Sequence, residues 1–98
     1  MRTAVYAGSF DPLTNGHLWM IEKGLEMFDH LYVVIGSNPS KSYTFTVEDR
    51  LQFLKESIPS CDRLTISEFT NLYLVEYARS VDAQYILRGI RSSSDYEY

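Results

Sequence analysis

The stretch Gly8-Ser9-Phe10-Asp11-Pro12-Leu13-Thr14-Asn15-Gly16-His17 governs the reading of the fold. It follows a short apolar run, Ala4-Val5-Tyr6-Ala7, and leads into a helical pattern. A strand that ends in a glycine-bearing turn and feeds directly into a helix aims backbone N–H groups and the positive helix end at one point. That setting suits an anion such as a nucleotide phosphate. Thr14 and His17 stand three residues apart and can share one face of the first turn. An imidazole there can donate a hydrogen bond to charge building on a phosphoryl oxygen. The dipole disfavours a protonated ring, but either form keeps an N–H to give.

Outward from this stretch, strand and helix signals alternate. Thr3 to Ala7 is a short apolar strand. From Asn15 to Phe28, Leu18, Ile21, Leu25 and Phe28 trace one helical stripe. Leu31 to Gly36 is β-branched and aromatic, continuous enough for a strand buried on both faces. Ser37 to Ser42 is a polar loop. Thr46 reads as an N-cap with Asp49 at the third helical position, and Val47, Leu51, Leu54 and Ile58 form the apolar face of a helix ended by Pro59. Arg63 to Phe69 is a third strand, Asn71 to Val81 a third helix through Leu74, Ala78 and Val81, and Gln84 to Leu87 a fourth strand. Ser92 to Ser94 and Asp95 can open another helix.

This β-α-β-α-β-α-β order predicts one α/β domain over residues 1–98, a Rossmann-like parallel sheet with helices on both faces. Ligands of such sheets bind beyond the carboxyl ends of the strands. Three segments fall there: the turn after strand one, the loop after strand two, and Arg88-Gly89-Ile90-Arg91 after strand four.

Composition narrows the function. The chain has 98 residues, 45% of them hydrophobic, enough for a core, though a domain this small gains from a partner subunit. A net charge of −4 argues against a broad nucleic-acid footprint, so cations for an anionic ligand must be local. Lys41, Arg88 and Arg91 are the candidates. Cys61 is the lone cysteine, which excludes an internal disulfide and a cysteine zinc cage and fits a reducing cytoplasm. No run is long enough for a secretory signal or a membrane span, and the expected location is cytoplasmic.

Each candidate has a plainer reading. Gly8 and Gly16 can serve only as turn and packing residues, and neither G-x-G-x-x-G nor a G-K-[ST] ending is present. His30 precedes strand two, away from any glycine turn, and is assigned no function. Lys41 can be an ordinary loop lysine. Arg88 ends an apolar strand, where a buried charge needs a partner; with Arg91 it can grip a phosphate or carboxylate, or either can pair with Asp95 or Glu97. Asp11-Pro12 reads as a turn and not as a general base. Glu48 and Asp49 read as helix N-terminal charges. Trp19 and the tyrosines read as core and interface material.

Gly-Ser-Phe-Asp-Pro-Leu-Thr-Asn-Gly-His, then Asn-Pro-Ser-Lys, then Arg-Gly-Ile-Arg and Ser-Asp-Tyr-Glu-Tyr closely resemble the bacterial phosphopantetheine adenylyltransferases, in order and over essentially the whole chain. Thr14 stands where the wider nucleotidyltransferase superfamily has the first histidine of H-x-G-H, as in the phosphopantetheine branch. The resemblance implies adenylyl transfer from ATP to 4′-phosphopantetheine, giving dephospho-coenzyme A and pyrophosphate, with Mg²⁺ accompanying ATP and a homo-oligomer, typically a hexamer. It implies that Ser9 contacts the acceptor phosphate and, with Phe10, ATP. His17 binds ATP and stabilises the transition state. Lys41 and Arg88 hold the acceptor phosphate, Gly89, Ile90 and Arg91 the adenylate side, and Leu74 the pantetheine arm. No protein metal site and no nucleic-acid or membrane partner is implied. Family members continue past the position of Tyr98, so the chain reads as a C-terminally truncated form, and Ser92-Ser93 replaces the usual Ala-Val. Two alternatives stay open: a nucleotidyltransferase with another acceptor, and a catalytically defective binding or oligomerisation fragment.

Overall fold

Four parallel strands carry the molecule, β1 (Thr3–Gly8), β2 (His30–Ser37), β3 (Leu64–Thr70) and β4 (Tyr85–Leu87), in the order β3-β2-β1-β4. Helices α1 (Asn15–Met27), α2 (Val47–Ser57) and α3 (Leu74–Ser80) connect them. The structure, a computed structural model, describes residues 1–37, 42–70 and 74–87.

The central strands are buried on both sides because both sheet faces are covered. In β2, Leu31, Val33 and Ile35 face one core and Val34 faces the other, all fully buried. Such a strand reads as a continuous apolar run, not as an alternating one. The chain steps from β1 to β2 to β3 in one direction, then returns past β1 to β4. With right-handed crossovers, that reversal sends the third helix to the opposite face from the first two. The packing agrees. Ile21 of α1, Leu54 of α2 and Ile58 at the α2 C-cap join Tyr6, Leu31 and Val33 in one core, while Ala78 of α3 meets Val5 and Val34 in the other.

The helix ends follow local chemistry. Thr14 caps α1, Phe28 closes it with its N–H on the Gly24 carbonyl, and Thr46 caps α2 by accepting the Asp49 N–H at 3.1 Å. A methyl group on Gly24 would stand 3.0 Å from Leu31 Cδ2 and 3.2 Å from Leu87 Cδ1, so α1 lies against β2 and β4 at a separation suited to glycine. Elements begin and end within a residue or so of the sequence expectation. The exception is the third helix, described from Leu74, because Asn71 to Tyr73 lie outside the described residues, as do Ser92 to Asp95. Trp19 is not core; it is 56% exposed on α1.

The register pairs Gly8 with Ile35 and Tyr6 with Leu87, so the carboxyl ends of β1, β2 and β4 lie side by side. Strand order reverses between β1 and β4, and the turn after β1 stands at that switch.

Candidate nucleotide site

β1 delivers the chain to Ser9, which is exposed, and Phe10, which is 1% exposed. Phe10 turns back under the loop with φ at 49°, and its ring packs edge-on to Tyr6 at 5.5 Å and to His17 at 4.8 Å. The left-handed residue in the turn is thus Phe10 and not a glycine, a conformation that a bulky side chain adopts only when its surroundings hold it there. Burying that ring against Tyr6 is the favourable term, worth about 1.5–3 kcal/mol. The Asp11–Pro12 peptide is cis.

Thr14 and His17 do share the first turn, through a capping box. Thr14 Oγ1 accepts the His17 N–H at 3.3 Å, and His17 Nδ1 accepts the Thr14 N–H at 2.9 Å, with Thr14 Oγ1 3.0 Å from the same nitrogen. A backbone N–H can only donate, so Nδ1 must offer its lone pair and the neutral ring carries its proton on Nε2. Sequence spacing put the two residues together; the cap also sets the tautomer.

The helix starts differ in charge. The first turn of α1 holds no acidic residue, whereas α2 has Glu48 and Asp49 there and α3 has Glu76. Carboxylates at a helix N-terminus occupy the field that an anionic ligand would use. Only α1, among these three helices, leaves that field to a ligand, and it is the one that follows the switch-point turn. An open cleft of about 320 Å³ lies nearby, lined by Thr14, Asn15, Leu18, Phe53 and Glu56 among others. Among the described residues its lining includes a carboxylate, Glu56, and no cation, a lining that does not attract a phosphate.

Two residues that sequence reasoning did not assign to the site hold its loop. Arg50 of α2 is 2% exposed and donates from Nη1 to the Ser9 carbonyl at 2.9 Å, and from Nε to the carbonyls of Phe45 at 3.1 Å and Thr46 at 3.3 Å. The Asp11 carboxylate accepts the N–H groups of Thr44 at 2.6 Å and Phe45 at 2.8 Å. Asp11 lies in a turn, as expected, and also ties that turn to the start of α2. Arg50 stands three residues after Val47 and four before Leu54, at the margin of the apolar stripe of α2, and that spacing is the sequence signal of its burial; its charge reads as that of a surface residue.

Of the residues expected at the site, Phe10 and His17 meet and Ser9 adjoins them. Leu74 opens α3 and packs with Val5, Val34 and Ala78 on the far face of the sheet from Phe10. Lys41, Arg88, Gly89, Ile90 and Arg91 lie outside the described residues, and with them the expected meeting of His17 and Arg88. His30 has a structural setting: its Nε2 lies 2.8 Å from Thr65 Oγ1 and its ring 4.7 Å from that of Tyr32. Among the described residues, no helix is long and apolar enough to cross a membrane.

A parallel sheet with a capped, carboxylate-free helix start at its switch point is the α/β nucleotidyltransferase-like arrangement. The same fold is found in a bifunctional NMN adenylyltransferase/ADP ribose pyrophosphatase from Francisella tularensis, with TM-score 0.71 and 23% identity over 97% of this chain and 33% of that one. A structure of a protein of that description from the same organism, complexed with AMP and a Mn ion, superimposes with TM-score 0.66 and 18% identity over 99% of this chain and 40% of that one. The profile of the cytidylyltransferase-like family matches residues 5–98, and the chain belongs to that family. Its relatives include the phosphopantetheine adenylyltransferase of Chromobacterium violaceum, 55% identical over all of this chain and 60% of the relative. Others of that name match at 46–55% identity. The chain thus spans about 60% of the length of the curated relatives it matches.

Proposed function

We propose that this chain serves adenylyl transfer from ATP to 4′-phosphopantetheine, with dephospho-coenzyme A and pyrophosphate as products. The observation that carries the reading is the α1 start, where His17 presents an Nε2 proton at a helix N-terminus free of carboxylates, directly after the switch-point turn. The names of relatives at 46–55% identity support the choice of acceptor.

The acceptor phosphate is already an anionic nucleophile and needs no general base. It attacks the α-phosphorus of ATP in line, the new P–O bond forms as the bond to pyrophosphate breaks, and the electron pair leaves with pyrophosphate. The protein's work is alignment and charge stabilisation. His17 donates from Nε2 to an α-phosphoryl oxygen as charge grows there. Ser9 contacts the acceptor phosphate and, with Phe10, the nucleotide. Lys41 and Arg88 supply positive charge to the acceptor phosphate, Gly89, Ile90 and Arg91 line the adenylate, and Leu74 lines the pantetheine arm. Mg²⁺ would accompany ATP, carried on its phosphates. Bound there, it would neutralise charge on the departing pyrophosphate. The reading includes a homo-oligomer, a hexamer as the family resemblance implies, working in the cytoplasm.

Pyrophosphate release tests it, with ATP or CTP as donor and a panel of phosphorylated acceptors. Release that requires both ATP and 4′-phosphopantetheine, and falls in His17→Ala, is expected. Release indifferent to the acceptor, or unchanged by His17→Ala, would refute the assignment.

A further inference from the structure

We propose that Arg50 and Asp11 are positioning residues for the turn after β1, clasping it to the segment Tyr43–Thr46 so that Ser9 and Phe10 are held against His17. The inference rests on the adenylyl-transfer reading for its consequence, though not for its geometry. Neither residue is assigned a contact with ATP or the acceptor.

A guanidinium only 2% exposed is costly unless its donors are used, and here they are used on loop carbonyls. The Tyr43 ring lies 4.4 Å from Arg50 Cζ and covers the planar group. Phe45 is gripped from both sides, its N–H by Asp11 and its carbonyl by Arg50. The two side chains therefore close one circuit: turn, Asp11, Phe45, Arg50, and back to the turn at Ser9.

The bond to Ser9 has a directional consequence. In a trans peptide the C=O and the following N–H point opposite ways. Arg50 on the Ser9 oxygen thus turns the Phe10 N–H away from α2 and holds the plane that leads into Phe10's left-handed φ of 49°. Phe10 in turn supports the His17 ring at 4.8 Å. Anchoring of α2 to the core is already supplied by Leu54 and Ile58, fully and nearly fully buried. The Arg50 bonds to the Ser9, Phe45 and Thr46 carbonyls instead lie at the loop and the start of α2. A lysine could reach one of these carbonyls but could not span both ends of the fork.

The test compares Arg50→Met, Arg50→Lys and Asp11→Asn with the unaltered chain and with Val34→Ala, a core truncation on the opposite sheet face. Without ligand, NMR is expected to show the His17 ring protons shifted in Arg50→Met and Asp11→Asn and unmoved in Val34→Ala. Amide exchange at Thr44 and Phe45 should rise about tenfold or more in Asp11→Asn, as expected for losing a charged acceptor. On titration with ATP and Mg²⁺, Arg50→Met should weaken affinity by about tenfold or more, Arg50→Lys by less, and Val34→Ala not at all despite a lower melting temperature. Unmoved His17 resonances would overturn the proposal, as would ATP affinity that merely follows melting temperature across the set. Should the unaltered chain not bind ATP, the adenylyl reading falls while the ligand-free spectra still decide the clasp. Should Arg50→Met fail to fold, Asp11→Asn, on a half-buried residue, carries the same comparison.

Discussion

The two histidines have almost the same neighbours and opposite positions. His17 lies 3.0 Å from a threonine hydroxyl and 4.8 Å from the Phe10 ring; His30 lies 2.8 Å from a threonine hydroxyl and 4.7 Å from the Tyr32 ring. What separates them is the parallel sheet. His30 opens β2 at the amino end, paired across from Thr3, whereas His17 stands at a helix N-terminus beyond the carboxyl end of β1. In a parallel α/β sheet every helix that follows a strand starts at the carboxyl end, so positive helix ends gather there. A histidine becomes a candidate for phosphate chemistry through that placement and not through its immediate contacts.

Four tests, three of them paired substitutions and one single, would break or sharpen this contrast. The largest effect is expected at the rings that support the imidazoles. Phe10→Ala should lose about 3–5 kcal/mol in urea unfolding, and Tyr32→Ala, half-buried beside His30, distinctly less. Equal losses would mean that the turn is no more tightly built than the far end of the sheet.

Next comes the imidazole itself. Glutamine can keep a capping box, so His17→Gln isolates the ring's chemistry from the helix cap. Turnover, read as pyrophosphate release, should fall about 10²–10³-fold, as for loss of one preorganised donor. His30→Gln should leave turnover essentially unchanged, and a matching loss there would erase the distinction drawn between the two.

Gly24 sits where the helix bearing His17 touches the strand bearing His30. Gly24→Ala forces a methyl group into that contact and should cost about 1–3 kcal/mol in thermal unfolding. Little or no cost would show that Leu31 and Leu87 yield easily. The smallest effect belongs to the threonines. Thr14→Ala removes the α1 cap and should cost about 1 kcal/mol, with a change in the His17 ¹⁵N ring shifts. Thr65→Ala, on a hydrogen bond at the edge strand, should cost no more than about 1 kcal/mol and leave His17 undisturbed.

Much of this was legible in the residues. The run Leu31 to Gly36 announced a doubly buried strand because apolar side chains on both faces leave no alternation to confuse. Thr46 announced α2 because a hydroxyl before an apolar helical stripe satisfies an orphan N–H. The spacing of Thr14 and His17 placed them on one turn. Other features were not legible. By residue type Arg50 looks like a surface charge, and carbonyls that accept its N–H groups lie 4, 5 and 41 residues away in sequence. Asp11 looks like a turn former, and its grip on Thr44 and Phe45 spans 33 and 34 residues. Gly8 and Gly16 drew attention as glycines, yet Phe10 takes the left-handed conformation and Gly24 makes the close helix–strand approach.

Local sequence by itself determined the alternation of strands and helices, the caps of α1 and α2, and the shared turn of Thr14 and His17. These depend on periodicity and on hydrogen bonds between residues three or four apart. Tertiary structure alone decided the strand order, the buried guanidinium, and the tying of the turn after β1 to the start of α2. Those arise where distant backbone carbonyls and N–H groups are brought together out of water, and no short window of residues encodes that encounter.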